Sequence, residues 1–247
     1  MRYRRHDLHG LLVIDKPLGM SSMDVVRRVR RAGGHCKTGH AGTLDPLATG
    51  VLICCLGRAT RRVDELMGLT KVYEATVDLS AFTSTDDAEG PRQEVSVPRP
   101  PSAEHVRTAL DGLTGTIEQS PPAYSAIKVG GQRAYKLARK GEGVELPPRP
   151  VRIDAIELIS YDWPLLRIVV TCGKGTYIRS LARQIGAALG TGGHLTTLRR
   201  TAIGPYTIDR AVNLEELPEP LMPEHLEERS QETGLRSQQG PLPTPDS

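Results

Sequence analysis

The chain has 247 residues, 38% of them hydrophobic and 25% charged, a length that buries a sizeable core and suits one large domain with at most a small appendage. Its four cysteines (Cys36, Cys54, Cys55 and Cys172) form no C-x-x-C pair and two are adjacent, which argues against a disulfide framework and for reduced thiols in a cytosol. Asp15 and Lys16 interrupt the short apolar run behind the charged N-terminus, and no stretch approaches the roughly 20 apolar residues of a membrane span, so the sequence predicts a soluble, cytoplasmic protein with no membrane partner.

The net charge of +3 hides an asymmetry. Residues 1–70 hold 12 Lys/Arg against 6 Asp/Glu and residues 71–214 hold 18 against 15, whereas residues 215–247 hold 2 against 8. The body to residue 214 therefore carries +9 and the tail −6. A basic body fits a polyanionic partner, and equally fits ordinary solvated surface charge.

In chain order, GLLVID at 10–15 reads as a strand ended by a Lys-Pro-Leu-Gly turn. A helix follows, capped by Ser21 or Ser22, with Met23, Val25, Val26 and Val29 inward and Arg27, Arg28, Arg30 and Arg31 outward. Residues 33–50, dense in Gly, Thr and His, read as a loop ending at Gly50, before a strand at 51–56. Val72 to Leu79 alternates as a strand and leads into the polar turn TSTDDAEGP. Ser102 caps a helix carrying Val106, Ala109, Leu110 and Leu113; strands follow at Val151 to Ile159 and Leu165 to Cys172. A last helix spans about Thr176 to Leu189 and stops at Gly190. Strands and helices mix without a strict βαβ rhythm, which favours an α/β or α+β sheet fold over a doubly wound one. From about Pro218 the chain is rich in Pro, Glu, Gln and Ser and reads as disordered.

Chemistry concentrates at Gly39–Gly50, where Asp45 sits between flexible glycines and a proline that fixes the chain beside it. Alone, Asp45-Pro46 reads first as a turn. His35, Cys36 and His40 lack the second cluster that a tetrahedral metal site needs, so no metal is expected. Neither a P-loop nor a strand-linked dinucleotide fingerprint occurs, nor a serine nucleophile elbow.

Three separated motifs resemble the bacterial tRNA pseudouridine synthase B (TruB) family: GLLVIDKPLGMSS at 10–22, GHAGTLDPLATGVL at 39–52 and GKGTYIRSL at 173–181. KVYEA at 71–75, PAYSAIK at 122–128 and LRR at 198–200 support them in the family's order. The resemblance implies a pseudouridine-synthase fold of α+β (mixed α/β) class, with a mostly antiparallel mixed central sheet and flanking helices and loops. It divides the chain into a basic extension (1–9), a catalytic domain (10–214) and an acidic Pro-rich tail (215–247) in place of the family's PUA domain, an arrangement expected to weaken the hold on tRNA and leave the chemistry intact. It implies an isomerase acting on uridine at position 55 in the T loop of tRNA, with no cofactor, since breaking the N1–C1′ bond and rejoining the base through C5 needs neither oxidant nor acceptor. A monomer is the default.

By resemblance, Asp45 is the catalytic carboxylate and nucleophile; attack at C1′, attack on the ring and removal of a sugar proton are all routes open to it. Arg179 pairs with Asp45 and with Asp87, keeping the carboxylate ionised and aimed. Tyr73 stacks on the flipped base, His40 fills the space the base vacates, and Tyr177 and Leu198 line the pocket. Lys16 and Pro17 brace the loop from the first strand, and Lys16, Arg199 and Arg200 complete the substrate-binding set. The outward arginines of the first helix, with Arg199 and Arg200, are candidate phosphate contacts. The family pattern T-D-T-x-D-x-x-G here reads TSTDDAEG, with Ser84 at its first Asp and Asp87 at its second. A non-catalytic RNA-binding protein or tRNA folding chaperone on the same fold is the alternative.

Overall fold

The computed structural model describes residues 8–122, 128–129, 132–133 and 146–227. A ten-stranded mixed sheet dominates it. Its strands are β1 (Gly10–Lys16), β2 (Thr38–Ala41), β3 (Ala48–Leu56), β4 (Lys71–Asp78), β7 (Gly115–Gln119), β10 (Arg149–Asp162), β11 (Leu165–Cys172), β12 (His194–Ile203), β13 (Tyr206–Thr207) and β14 (Val212–Asn213). Two small hairpins, β5 (Ala81–Thr83) with β6 (Arg92–Glu94) and β8 (Lys128–Val129) with β9 (Gln132–Arg133), stand apart from it. Among the described residues the α-helices are α1 (Ser22–Ala32), α2 (Val63–Gly68), α3 (Ala103–Asp111) and α4 (Ile178–Leu189).

The sheet runs β14-β1-β3-β12-β4-β11-β10-β7, with β2 on β3 and β13 on β12. Only the β1–β14 and β3–β12 pairs are parallel, so the expected mostly antiparallel mixed sheet is present. One apolar cluster joins α3 and α4 to β4, β11 and β12 through Val77, Leu110, Ile168, Leu181 and Ile185; a second packs α1 against β1 and β3 through Val25, Val29, Leu12 and Leu52. Leu166, Ile168, Val170 and Cys172 alternate along β11 toward the helices, the period-two pattern of a strand with one covered face. All four cysteines are buried and free.

Local signals explain the helix ends. Ser21 caps α1 by accepting from the Asp24 amide, and Asp24 returns a bond to the Ser21 amide, a capping box. Ser102 accepts from the His105 amide at α3, and Gly190 closes α4 in the left-handed conformation at φ 64°.

Three expectations need correction. Met23 faces solvent at 51% exposure, because two residues before Val25 and six before Val29 place it more than about 100° around the helix from both. The loop expected over 33–50 contains β2, and Gly50 lies inside β3. Gly50 has φ +100°, and a Cβ there would sit 2.1 Å from the Arg200 carbonyl oxygen; the glycine lets β3 leave β1 and meet β12 at a backbone approach that no side chain allows. The acidic tail does not begin at 215 or 218. Leu214, Leu221 and Leu226 are buried against the α1–β1–β3 cluster. The Leu221 amide bonds the Ala32 carbonyl, and Leu11 and Glu227 exchange two backbone bonds, so the chain through Glu227 belongs to the fold. Residues 1–7 of the basic extension, most of PAYSAIK and the tail beyond 227 lie outside the described residues. Truncating a packed leucine costs about 2–5 kcal/mol, so Leu221→Ala or Leu226→Ala should lower the urea unfolding midpoint markedly, whereas a wild-type midpoint would return this segment to the tail.

Candidate active site

The loop carrying Asp45 joins β2 to β3 and is fixed from several elements at once. Ser22, at the start of α1, donates from Oγ to the Leu44 carbonyl at 3.0 Å and accepts from the Leu44 amide at 2.8 Å. Arg200 on β12 donates to the Gly42 carbonyl at 2.9 Å and to the Val51 carbonyl at 2.8 Å. The Pro46 carbonyl accepts from the Gly19 amide at 2.8 Å and from Lys16 Nζ at 3.4 Å. Lys16 also holds the Pro17 and Met20 carbonyls, at 2.9 and 2.6 Å. It is fully buried, and burial pushes its ammonium down to about 8, with Asp45 opposing that shift.

Arg179, in the first turn of α4 and 5% exposed, brings the acidic residues together. Its Nη2 lies 2.9 Å from Asp45 Oδ2 and its Nη1 3.4 Å from Asp87 Oδ2; Nη1 also donates to the Thr85 carbonyl at 3.2 Å. Asp87 is buried in the turn between β5 and β6, where its Oδ1 accepts from the Thr85 hydroxyl and the Glu89 amide. Asp45 keeps 38% of its side chain open to the cavity. Burial raises its pKa above the ordinary carboxylate value, Arg179 and Lys16 oppose the rise, and the charge of Asp87 adds to it. The arginine thus fixes one carboxylate oxygen, while desolvation outweighs its stabilisation of the ionised form.

The cavity, of about 300 Å³, opens between the Asp45 loop, β4, β12 and the start of α4. Tyr73, Leu198, Tyr177 and Arg200 line it together with Asp45 and Arg179, as expected for the first three. Burial lifts the Tyr73 phenol's pKa, and the Arg200 guanidinium lies 6.0 Å from its ring centre. Tyr177 carries the Arg149 guanidinium 5.4 Å above its ring, and its amide is held by Gln119 at 2.7 Å.

Two assignments change. Arg200 is 1% exposed and bonded to backbone carbonyls, so it stands in the cavity wall and not on the outer surface; Lys16, also buried, spends its ammonium on the Pro17, Met20 and Pro46 carbonyls. Arg199 points to the opposite sheet face, where Asp15 holds it in two bonds of 3.1 and 2.7 Å. His40 on β2 stands behind the cavity lining, with Nδ1 buried and without a hydrogen-bond partner among the described residues; burial and Arg200 lower its pKa. Ser84 is exposed, away from the Arg179 cluster. Sequence reasoning missed Lys71 and Lys174 as cavity residues, although both lie inside the motifs already singled out.

The comparisons with known proteins agree with this geometry. Residues 30–178 match the model described as TruB family pseudouridylate synthase (N terminal domain), and residues 179–239 match the tRNA pseudouridylate synthase B C-terminal domain. A tRNA pseudouridine synthase B of Thermobifida fusca is 51% identical over 221 residues, covering 84% of this chain and 74% of that protein. The Mycobacterium avium enzyme of the same name is 50% identical, covering 85% and 69%. Among solved structures, a chain of a Cbf5-Nop10-Gar1 complex superposes with TM-score 0.67 at 30% identity, covering 85% of this chain and 54% of its own length. A chain of an H/ACA RNP bound to a substrate RNA containing 2′-deoxyuridine gives 0.63 at 28%, covering 84% and 51%. The present chain spans about half the length of those solved chains. With both family models matched in tandem along most of its length, the chain belongs to the TruB family of pseudouridylate synthases.

Proposed function

We propose that this protein converts a uridine of tRNA to pseudouridine, at position 55 in the T loop, in the cytoplasm and as a monomer without a cofactor. The observation that carries the reading is the Asp45 carboxylate. It is held by Arg179 at 2.9 Å at the wall of a cavity that also contains Tyr73 and Leu198, on a loop fixed by four separate elements. A base inside a structured loop is out of reach of such a recess until it is flipped out of its stack, and the aromatic and apolar walls suit a flipped uracil.

The reaction exchanges the N1–C1′ bond for a C5–C1′ bond; C5 loses its proton and N1 gains one, so no electrons enter or leave. Asp45 starts the exchange as the nucleophile. Arg179 fixes its direction, Tyr73 lies against the ring, and the cavity cations Lys71, Lys174 and Arg200 favour the approach of a polyanion. The exposed Arg28, Arg30 and Arg31 of α1 have no acidic partner among the described residues and are free to meet phosphates.

Purified protein should form pseudouridine at one T-loop site in unmodified tRNA without additives, mapped by chemical probing, and Asp45→Asn should abolish it while still binding tRNA. Turnover by Asp45→Asn at the wild-type rate would refute the assignment. Because Asp45 must be ionised to act and its pKa is raised, kcat/KM should fall with decreasing pH through a limb above the ordinary aspartate value of about 3.9. An acid limb at or below that value would contradict the burial argument. Affinity for tRNA should also fall steeply with salt, and Arg28→Gln/Arg31→Gln should reduce the log–log slope by roughly 1–2; an unchanged slope removes α1 from the interface.

A further inference from the structure

The turn that supplies Asp87 contains a second buried acid, Asp86, for which the catalytic reading has no use. Its backbone has φ +61°, a left-handed conformation that Asp and Asn tolerate better than other side chains. The carbonyl of Asp86 accepts from the Leu195 amide of β12 at 3.0 Å, and its carboxylate pairs with Arg183. Arg183 follows Arg179 by one turn on the same face of α4. It also donates to the Ser120 carbonyl at 3.1 Å, which Ser180 Oγ holds at 2.8 Å. Two successive arginines of one helix thus take two successive aspartates of one turn, Arg183 to Asp86 and Arg179 to Asp87.

We propose that Arg183 and Asp86 are positioning residues for the isomerisation: Arg183 occupies the Asp86 carboxylate, and so leaves the Arg179 guanidinium to Asp45 and Asp87. The inference rests on Asp45 being the reacting carboxylate. Its physical basis is competition. Arg179 already touches the Thr85 carbonyl beside Asp86, and Arg179 is the second positive charge acting on the Asp86 carboxyl, after Arg183. With Arg183 gone, Asp86 becomes a buried carboxylate without its partner, and the nearest remaining guanidinium is the one that aims Asp45. Ser84 stands where the family pattern has its first Asp and is exposed; in this chain the turn's additional acid is displaced by two residues, onto the side that α4 covers.

The charged and titratable groups around Asp45 are Arg179 from α4, Asp87 from the turn, Lys16 from β1, Tyr73 and Lys71 from β4, Arg200 from β12, and Lys174 and Tyr177 from the segment before α4. None of them is altered by substitutions at 86 or 183; because each single substitution also changes the net charge near Asp45, the sharing of Arg179 is read from the titration together with kcat. The test compares wild type, Arg183→Gln, Arg183→Lys, Asp86→Asn and Asp86→Asn/Arg183→Gln. Three quantities are read: kcat and KM on tRNA, the Asp45 carboxyl titration by carbon NMR in RNA-free protein, and the urea midpoint. Arg183→Gln should lower kcat by about 10- to 100-fold, the range for a misaimed reacting group, with KM within twofold and the Asp45 titration moved to higher pH. Asp86→Asn should not move that titration upward, and adding it to Arg183→Gln should recover kcat and return the titration toward wild type, a coupling that independent sites lack. Arg183→Lys, which keeps the charge, should retain the wild-type titration and supplies the comparison with Asp86→Asn if Arg183→Gln does not fold. A purely structural pair would shift the midpoint with no opposed effects on Asp45. Wild-type kcat and titration in Arg183→Gln, or a double variant no better than Arg183→Gln, would overturn the proposal. Absence of pseudouridine from the wild type would instead refute the proposed function, while the NMR titration still tests the sharing of Arg179.

Discussion

A guanidinium buried under the sheet cannot stay unpaired, and most of the architecture around the cavity follows from satisfying Arg179. Removing one partner from a buried ion pair costs about 3–5 kcal/mol, whereas the intact pair contributes little net stability because both charges had to be desolvated. The Asp45–Arg179–Asp87 arrangement is therefore better understood as a device for position than as a source of stability. It ties three segments remote in sequence: the β2–β3 loop, the β5–β6 turn and the first turn of α4. The sheet register has to deliver each to within hydrogen-bonding distance. Arg179 carries two acids, so its placement and theirs are mutually determined, and the Asp45 carboxylate cannot drift without disturbing both.

The loop that presents Asp45 is held by polar bonds to its backbone more than by apolar packing. Arg200 takes the Gly42 carbonyl, Ser22 both takes and gives at Leu44, and Lys16 with the Gly19 amide takes the Pro46 carbonyl. Buried backbone groups of an irregular segment must find partners somewhere, and here they find them on α1, β1, β12 and the turn after β1. The same bonds explain why two basic residues that look like RNA contacts in the sequence are buried. Lys16 and Arg200 spend donors on main-chain oxygens; Arg200 forms part of the cavity wall, and the charge of Lys16 acts on Asp45 from behind it.

Elements with strong local chemistry were legible: the Ser21 and Ser102 caps, the Gly190 stop, and the alternation that delimits β11 at Leu165–Cys172. Strand β2 was not, because Thr38–Ala41 is short and polar and is held as a strand only by its register with Thr38 opposite Leu56 and Ala41 opposite Ile53. Gly50 reads as a loop boundary, yet its freedom serves a close strand crossing, a tertiary demand that leaves no local mark. The segment to Glu227 has the composition of a tail, but a few leucines at intervals that fit the α1–β1–β3 cluster suffice to dock it. In the site, the motifs singled out Asp45, Tyr73 and Arg179, which the fold brings to the wall of one cavity. They could not give the pairing of Asp86 with Arg183, which joins positions 97 residues apart: Asp86 falls in TSTDDAEG at a position the family pattern leaves open, and Arg183 lies beyond GKGTYIRSL.

Burial of Asp45 works in two directions, and the balance between them defines the site. Desolvation raises the carboxyl's affinity for a proton, which makes the ionised form a stronger nucleophile or base when it is present; the same desolvation makes that form harder to maintain. Arg179 and Lys16 oppose the protonation, while Asp87 works with burial. A single arginine given wholly to Asp45 would hold it ionised but weakly basic, as in an ordinary surface ion pair. An arginine shared between two acids gives direction without full neutralisation, so the proton affinity of the Asp45 carboxyl is tied to how Arg179 is divided between Asp45 and Asp87.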